Sequence, residues 1–131
     1  MENKITVIIL GRFKKKTHKD TEENAGKILK ILKKKNLEVE IYLANDRTMR
    51  QLNKEFRGKD KTTTVLSFEE PRNFILPPSK FRKIGEIYLN MSDVGCRLLV
   101  HGLLHLLGYD HKRKNDRIKM EKLEQYVYNR S

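Results

Sequence analysis

Apolar and polar positions along this chain change period several times, and each change marks an element. Residues 5–10, ITVIIL, are β-branched and apolar, which predicts a strand. Residues 12–19 are basic and read as a loop. Asp20 with Glu23 has the capping-box pattern, and Ala25, Ile28, Leu29 and Leu32 follow at helical spacing, so residues 21–35 read as an amphipathic helix. Val39, Ile41 and Leu43 alternate with Glu40 and Tyr42, the pattern of a strand with one polar face. Asn45 is placed to cap a helix that carries Met49, Leu52 and Phe56 on one side and closes at Gly58.

Residues 64–68, TVLSF, predict a third strand and residues 84–89 a fourth. Between them, residues 69–83 hold all three prolines and read as a loop. Ser92 or Asp93 can cap a helix running to Leu107, and Asn115 a last helix that turns Ile118, Leu123 and Val127 inward. The order is β-α-β-α-β-β-α-α. Strands three and four are joined without a crossover helix, which points to the α+β class with a mixed sheet. The expectation is a single domain over residues 1–131, a four-stranded sheet packed with about four to five helices.

Composition narrows the setting. The one cysteine, Cys96, excludes an intrachain disulfide and reads as a small buried residue. No apolar run is long enough to span a bilayer, and the N-terminus lacks a cleavage pattern, so a cytoplasmic protein without membrane contact is expected. Twenty-nine basic residues against 17 acidic give a net charge of +12. Such an excess draws polyanions, nucleic acid first among them. A lysine-rich composition with solvated runs such as residues 33–35 accounts for it equally well, and charge alone leaves both open.

Residues 101–111 read HGLLHLLGYDH and hold three of the four histidines. His101 and His105 are four apart in an apolar helical run, which puts both imidazoles on one face. Gly108 lets the chain turn back and carry His111 towards the same point. Three imidazoles from one side leave the fourth position of a tetrahedral metal open, as in catalytic zinc sites. The site is thus expected on the helix and turn after the last strand. Zinc suits it best, and nickel or copper also match the ligand type. The zinc proteases with this spacing carry a glutamate directly after the first histidine, whereas this chain has Gly102 there, which removes the general base. Asp110 is placed to orient a ligand or shape the turn, Tyr109 to pack, and His18 to be solvated.

A second block, LNKEFRGKDKTTTVLSFE at residues 52–69, and a third, GEIYL at residues 85–89, complete a pattern. With HGLLHLLGYDH, and with Asp116, Met120 and Glu124 beyond it, the chain resembles the YbeY family of rRNA maturation factors over residues 41–126. The resemblance implies a zinc-dependent, single-strand-specific endoribonuclease that acts in 16S rRNA 3′-end maturation and ribosome quality control. It implies rRNA and the small ribosomal subunit as partners, and a monomer is the working expectation. The metal ligands carry over onto His101, His105 and His111, with one zinc ion per chain, and the family's functional arginine onto Arg57. On the residues alone, Arg57 has two readings: two-pronged phosphate binding, or a cation at a helix C-terminus. Lys59 and Lys61 follow as RNA contacts. RNA carries its own 2′-OH nucleophile, so a missing glutamate matters less than in a protease.

Two places depart from the family pattern. Thr64 stands where relatives have Asp or Asn, and residues 90–100 form a shorter segment than theirs. Two other functions fit the residues: an rRNA-binding assembly factor with a structural metal, and a metallohydrolase on another substrate. A water-open fourth metal position favours an enzyme, and a sealed one the assembly factor.

Overall fold

The apolar run near the start of the chain forms β1 (Lys4–Leu10), which pairs in parallel with β2 (Leu37–Ala44). Parallel neighbours need a crossover, here supplied by α1 (Lys15–Ile31). The structure, a computed structural model, describes residues 3–11, 15–69, 81–91, 96–109 and 114–130. After β2 come α2 (Asp46–Arg57), β3 (Val65–Glu69), β4 (Arg82–Asn90), α3 (Cys96–Leu106) and α4 (Lys114–Arg130). The sheet order is β1-β2-β4-β3, with β4 parallel to β2 and β3 antiparallel along its other side. This is the α+β class, with a mixed sheet of four strands and four helices among the described residues.

Alternation along the strands sorts the two faces. Val39, Ile41, Leu43 and Ile87 are fully buried in one cluster with Ala25, Ile28 and Leu29 of α1, Leu103 and Leu104 of α3, and Met120 of α4. On the opposite face Tyr42 stacks on Tyr88 at 4.5 Å, Tyr88 meets Phe68 edge-on at 5.7 Å, and Phe68 meets Phe56 at 5.3 Å. Lys83 lies between Glu40, 3.1 Å away, and Glu86, 3.7 Å away, which balances the carboxylates of that face. Helix α2 covers one end of the same face, where Met49 packs with Ala44 and Leu66.

Several helix details differ from the sequence expectation. Helix α1 starts at Lys15, so Asp20 and Glu23 lie inside it rather than at its cap, and it ends at Ile31 rather than at residue 35. Polar residues carry no burial pattern to mark this first turn and a half. The segment is tied to β1 by His18, whose Nε2 lies 2.9 Å from the Val7 carbonyl. His18 is thus a half-buried contact rather than a solvated side chain. Asn45 does cap α2, its Oδ1 accepting from the Thr48 N–H at 2.9 Å, and Gly58 closes it at φ 70. Phe56 is 58% exposed and reaches sideways to Phe68 instead of pointing inward with Met49. In α4, Asn115 falls within the helix, not ahead of it. Ile118 is 41% exposed, because the inward stripe runs through Met120, Leu123 and Val127. The expected caps Ser92 and Asp93 and the proline-bearing residues 70–80 lie outside the described residues.

Candidate functional site

Helix α3 buries Leu99, Val100, Leu103, Leu104 and Leu106, an apolar series that only a helix on a sheet can satisfy. It approaches the sheet closely at two glycines. A Cβ at Gly102 would lie 3.1 Å from Ile87 Cγ2 and 3.4 Å from Ser67 Oγ. A Cβ at Gly85, where φ is 146, would collide with the Phe68 carbonyl and with Leu106. Gly102 therefore serves close helix–sheet packing. A Cβ there would press on the sheet at Ile87 and Ser67.

His101 and His105 stand half-buried on one side of α3, their rings 4.8 Å apart and edge to face. Nδ1 of His101 lies 3.1 Å from Oε1 of Glu124 on α4. A carboxylate at that distance can accept from an Nδ1–H, the contact that orients metal-binding imidazoles. The helix ends as expected: Gly108 has φ 101 and its N–H bonds the His105 carbonyl at 3.0 Å, while the Tyr109 N–H bonds Leu104 at 3.1 Å. Tyr109 packs against the core, as expected. His111 and Asp110 lie outside the described residues, as does the side chain of Cys96. Among the described residues no group of three or more His, Cys, Asp or Glu side chains is placed to hold a metal. The donor set that is described, two neighbouring imidazoles with one ring anchored by a carboxylate, fits a borderline cation such as zinc.

Glu124 is the residue that patterning alone misses. Its position beyond His111 belongs to the family resemblance, but only the packing of α4 on α3 shows what its carboxylate does.

The basic block forms a second feature. The loop after α2 is tied down at nearly every residue. Asn53, buried in α2, donates from Nδ2 to the Lys61 carbonyl at 2.8 Å. Arg50 Nε donates to Asp60 at 2.9 Å and holds that carboxyl below the usual carboxylate range. Buried Asn90 of β4 donates from Nδ2 to Asp46 at 2.6 Å, to Thr62 at 3.2 Å and to the Thr63 carbonyl at 3.1 Å, and its N–H bonds the Thr64 carbonyl at 2.9 Å. Arg57, Lys59 and Lys61 are all exposed on this pinned segment. Strand β3 lies between it and the histidine helix: Phe68 takes Phe56 on one face, and Ser67 lies under Gly102 on the other.

Fold and site together define a class: a small α+β domain in which a histidine-bearing helix packs on one face of a mixed sheet and a hydrogen-bonded basic loop leads into its edge strand β3. The chain belongs to the YbeY endoribonuclease family, whose model, described as Endoribonuclease YbeY, matches residues 10–131. Curated relatives carrying that name include one from Persephonella marina, 39% identical over 114 residues, which cover 74% of this chain and 71% of the relative. One from Aquifex aeolicus is 35% identical over 132 residues, covering 92% of this chain and 88% of the relative. One from Leptospira biflexa is 40% identical over 119 residues, covering 77% and 76%. Among solved structures, the solution structure of a Thermotoga maritima protein matches with a TM-score of 0.56 at 26% identity, over 95% of this chain and 91% of that one. Among the described residues no helix is long and apolar enough to cross a membrane.

Proposed function

We propose that this chain is a zinc-dependent endoribonuclease for single strands that acts in 16S rRNA 3′-end maturation and ribosome quality control, in the cytoplasm and with the small ribosomal subunit as partner. The observation that carries the reading is the anchoring of His101 by Glu124 beside His105, in a member of an endoribonuclease family. His101, His105 and His111 would hold one zinc ion. Bound there, it supplies Lewis acidity towards a phosphate oxygen and lowers the pKa of water to about 7.

The chain's own residues do the rest. Glu124 accepts from the His101 Nδ1–H and orients the ring. The leucines around the pair limit water on the inner side, which strengthens electrostatic interactions at the site. Arg57 receives the phosphate through two N–H groups and stabilises the charge that builds on the phosphorane. Lys59 and Lys61 contact the backbone next to it, on a loop held by bonds to Asp60, Lys61 and Thr62.

Two variants test the reading together. His105→Ala is expected to lose both zinc binding and RNA cleavage. Arg57→Ala is expected to keep zinc and lose about 100-fold or more in cleavage rate. Zinc-free protein with undiminished cleavage contradicts the mechanism. Zinc binding without cleavage by the unmodified protein favours an assembly factor with a structural metal.

A further inference from the structure

A cavity of about 430 Å³ lies between the end of α3 and the side of α4, lined by Tyr109, Lys119, Lys122, Leu123 and Tyr126. We propose that it is a subsite for one nucleotide of a single-stranded RNA, with the base held between the tyrosines and the flanking phosphates on the lysines. The proposal rests on the nuclease reading above and names what gives it its preference for single strands.

The lining has the right chemistry. Lys119, Lys122, Leu123 and Tyr126 fall at helical spacing along one stripe of α4. Both lysines are exposed and Tyr126 is 42% exposed, so ring and cations face a ligand approaching from solvent. Tyr109 is half-buried and fixed against the core, and Leu123 forms an apolar floor. Among the described residues, the lining carries two lysines and no carboxylate. Aromatic rings beside cations are how proteins hold single strands without reading sequence, since every base has a π-face. The volume lies within the range of about 300–1,000 Å³ usual for small-molecule sites.

Its position ties it to the chemistry. Leu123 directly precedes Glu124, whose carboxylate holds His101, and Tyr109 comes four residues after His105. The cavity thus belongs to the same two elements as the histidine site, and in this proposal a strand whose phosphate lies at the histidines extends a neighbouring nucleotide towards it. In a duplex the base is stacked and paired, and its face is not available to the tyrosines.

The test measures binding without turnover, using zinc-loaded protein and a labelled 2′-O-methyl single strand, alongside the same strand with abasic positions. Tyr126→Ala is expected to weaken binding to the base-bearing strand about tenfold, while Tyr126→Phe, which keeps the ring, binds as the unmodified protein does. On the abasic strand Tyr126→Ala and the unmodified protein are expected to bind alike. Lys119→Ala with Lys122→Ala is expected to flatten the salt dependence by about two in log–log slope. As a check that needs no variant, AMP should shift the NMR signals of Leu123 and Tyr109 at concentrations where ribose 5-phosphate does not. Equal binding by Tyr126→Ala and the unmodified protein, or equal loss on both strands, overturns the subsite. A protein that cleaves RNA yet shows no base dependence keeps the nuclease reading and loses the subsite. One that shows the base dependence without cleavage does the reverse.

Discussion

Glu124 Oε1 lies 3.1 Å from His101 Nδ1 and joins the last helix to the histidine helix. Both side chains are about three-quarters buried, with 25% and 28% of their side-chain surface exposed. A carboxylate in this position fixes the orientation of the ring. Glu124→Ala is therefore expected to weaken zinc binding about 10- to 100-fold, measured by competition with a chelating dye. Glu124→Gln, which keeps an acceptor but not the charge, should fall between the two. Unchanged affinity in both variants removes Glu124 from the site.

Gly102 tests whether the position after the first histidine is open to a base. Its Cβ would meet Ile87, whose side chain is fully buried. Gly102→Glu would drive a carboxylate into that contact and is expected to cost about 3 kcal/mol or more in urea denaturation. It should gain no peptidase activity. A stable Gly102→Glu protein that hydrolyses peptides contradicts the packing described for α3.

Asn90 gathers the basic loop onto the sheet through Asp46, Thr62 and Thr63. Asn90→Ala removes the buried amide that these acceptors share, one of them charged, and is expected to destabilise the fold by about 1–3 kcal/mol. Faster amide exchange at residues 61–64 is the accompanying signature of a loosened loop. Because the segment that follows Lys61 loses its tie to β4, RNA affinity should fall as well.

Alkaline pH probes the second face of the sheet. Burial first, then Glu86 and Tyr42, push the Tyr88 hydroxyl up to about 12 from an ordinary 10.0. Tyr42 is raised by burial, then by Glu40 and Glu86. The folded protein thus holds these protons more tightly than the unfolded chain does. Their contribution is fully present below the unfolded value of 10.0 and is lost as pH rises from there towards about 12. Stability should fall across that window, and Tyr88→Phe should flatten the fall, as followed by urea midpoints against pH. An identical slope in the variant contradicts the assignment.

Much of the fold is legible because burial leaves a period in the sequence. Val39, Ile41 and Leu43 alternate, and they are fully buried on one face of β2. The caps Asn45, Gly58 and Gly108 act through local backbone bonds, so their residue types announce them. The start of α1 is not legible, because its first residues are polar and leave no apolar period, and the His18 contact made there reaches back 11 residues to Val7. Likewise Gly102 looks like a missing base from its neighbours in sequence, and only the approach of α3 to Ile87 shows that the sheet demands it. The pairing of His101 with His105 follows from helical spacing. The Glu124 partner and the Asn90 clasp join residues 23 and 27 or more positions apart, which no local pattern can reveal.

The central claim is met most directly by incubating zinc-loaded protein and its His101→Ala variant with matched single-stranded and duplex RNA and resolving the products by length. The account predicts internal cleavage of the single strand by the unmodified protein, little cleavage of the duplex, and none by the variant. Equal cleavage by both proteins, or of both substrates, would contradict it.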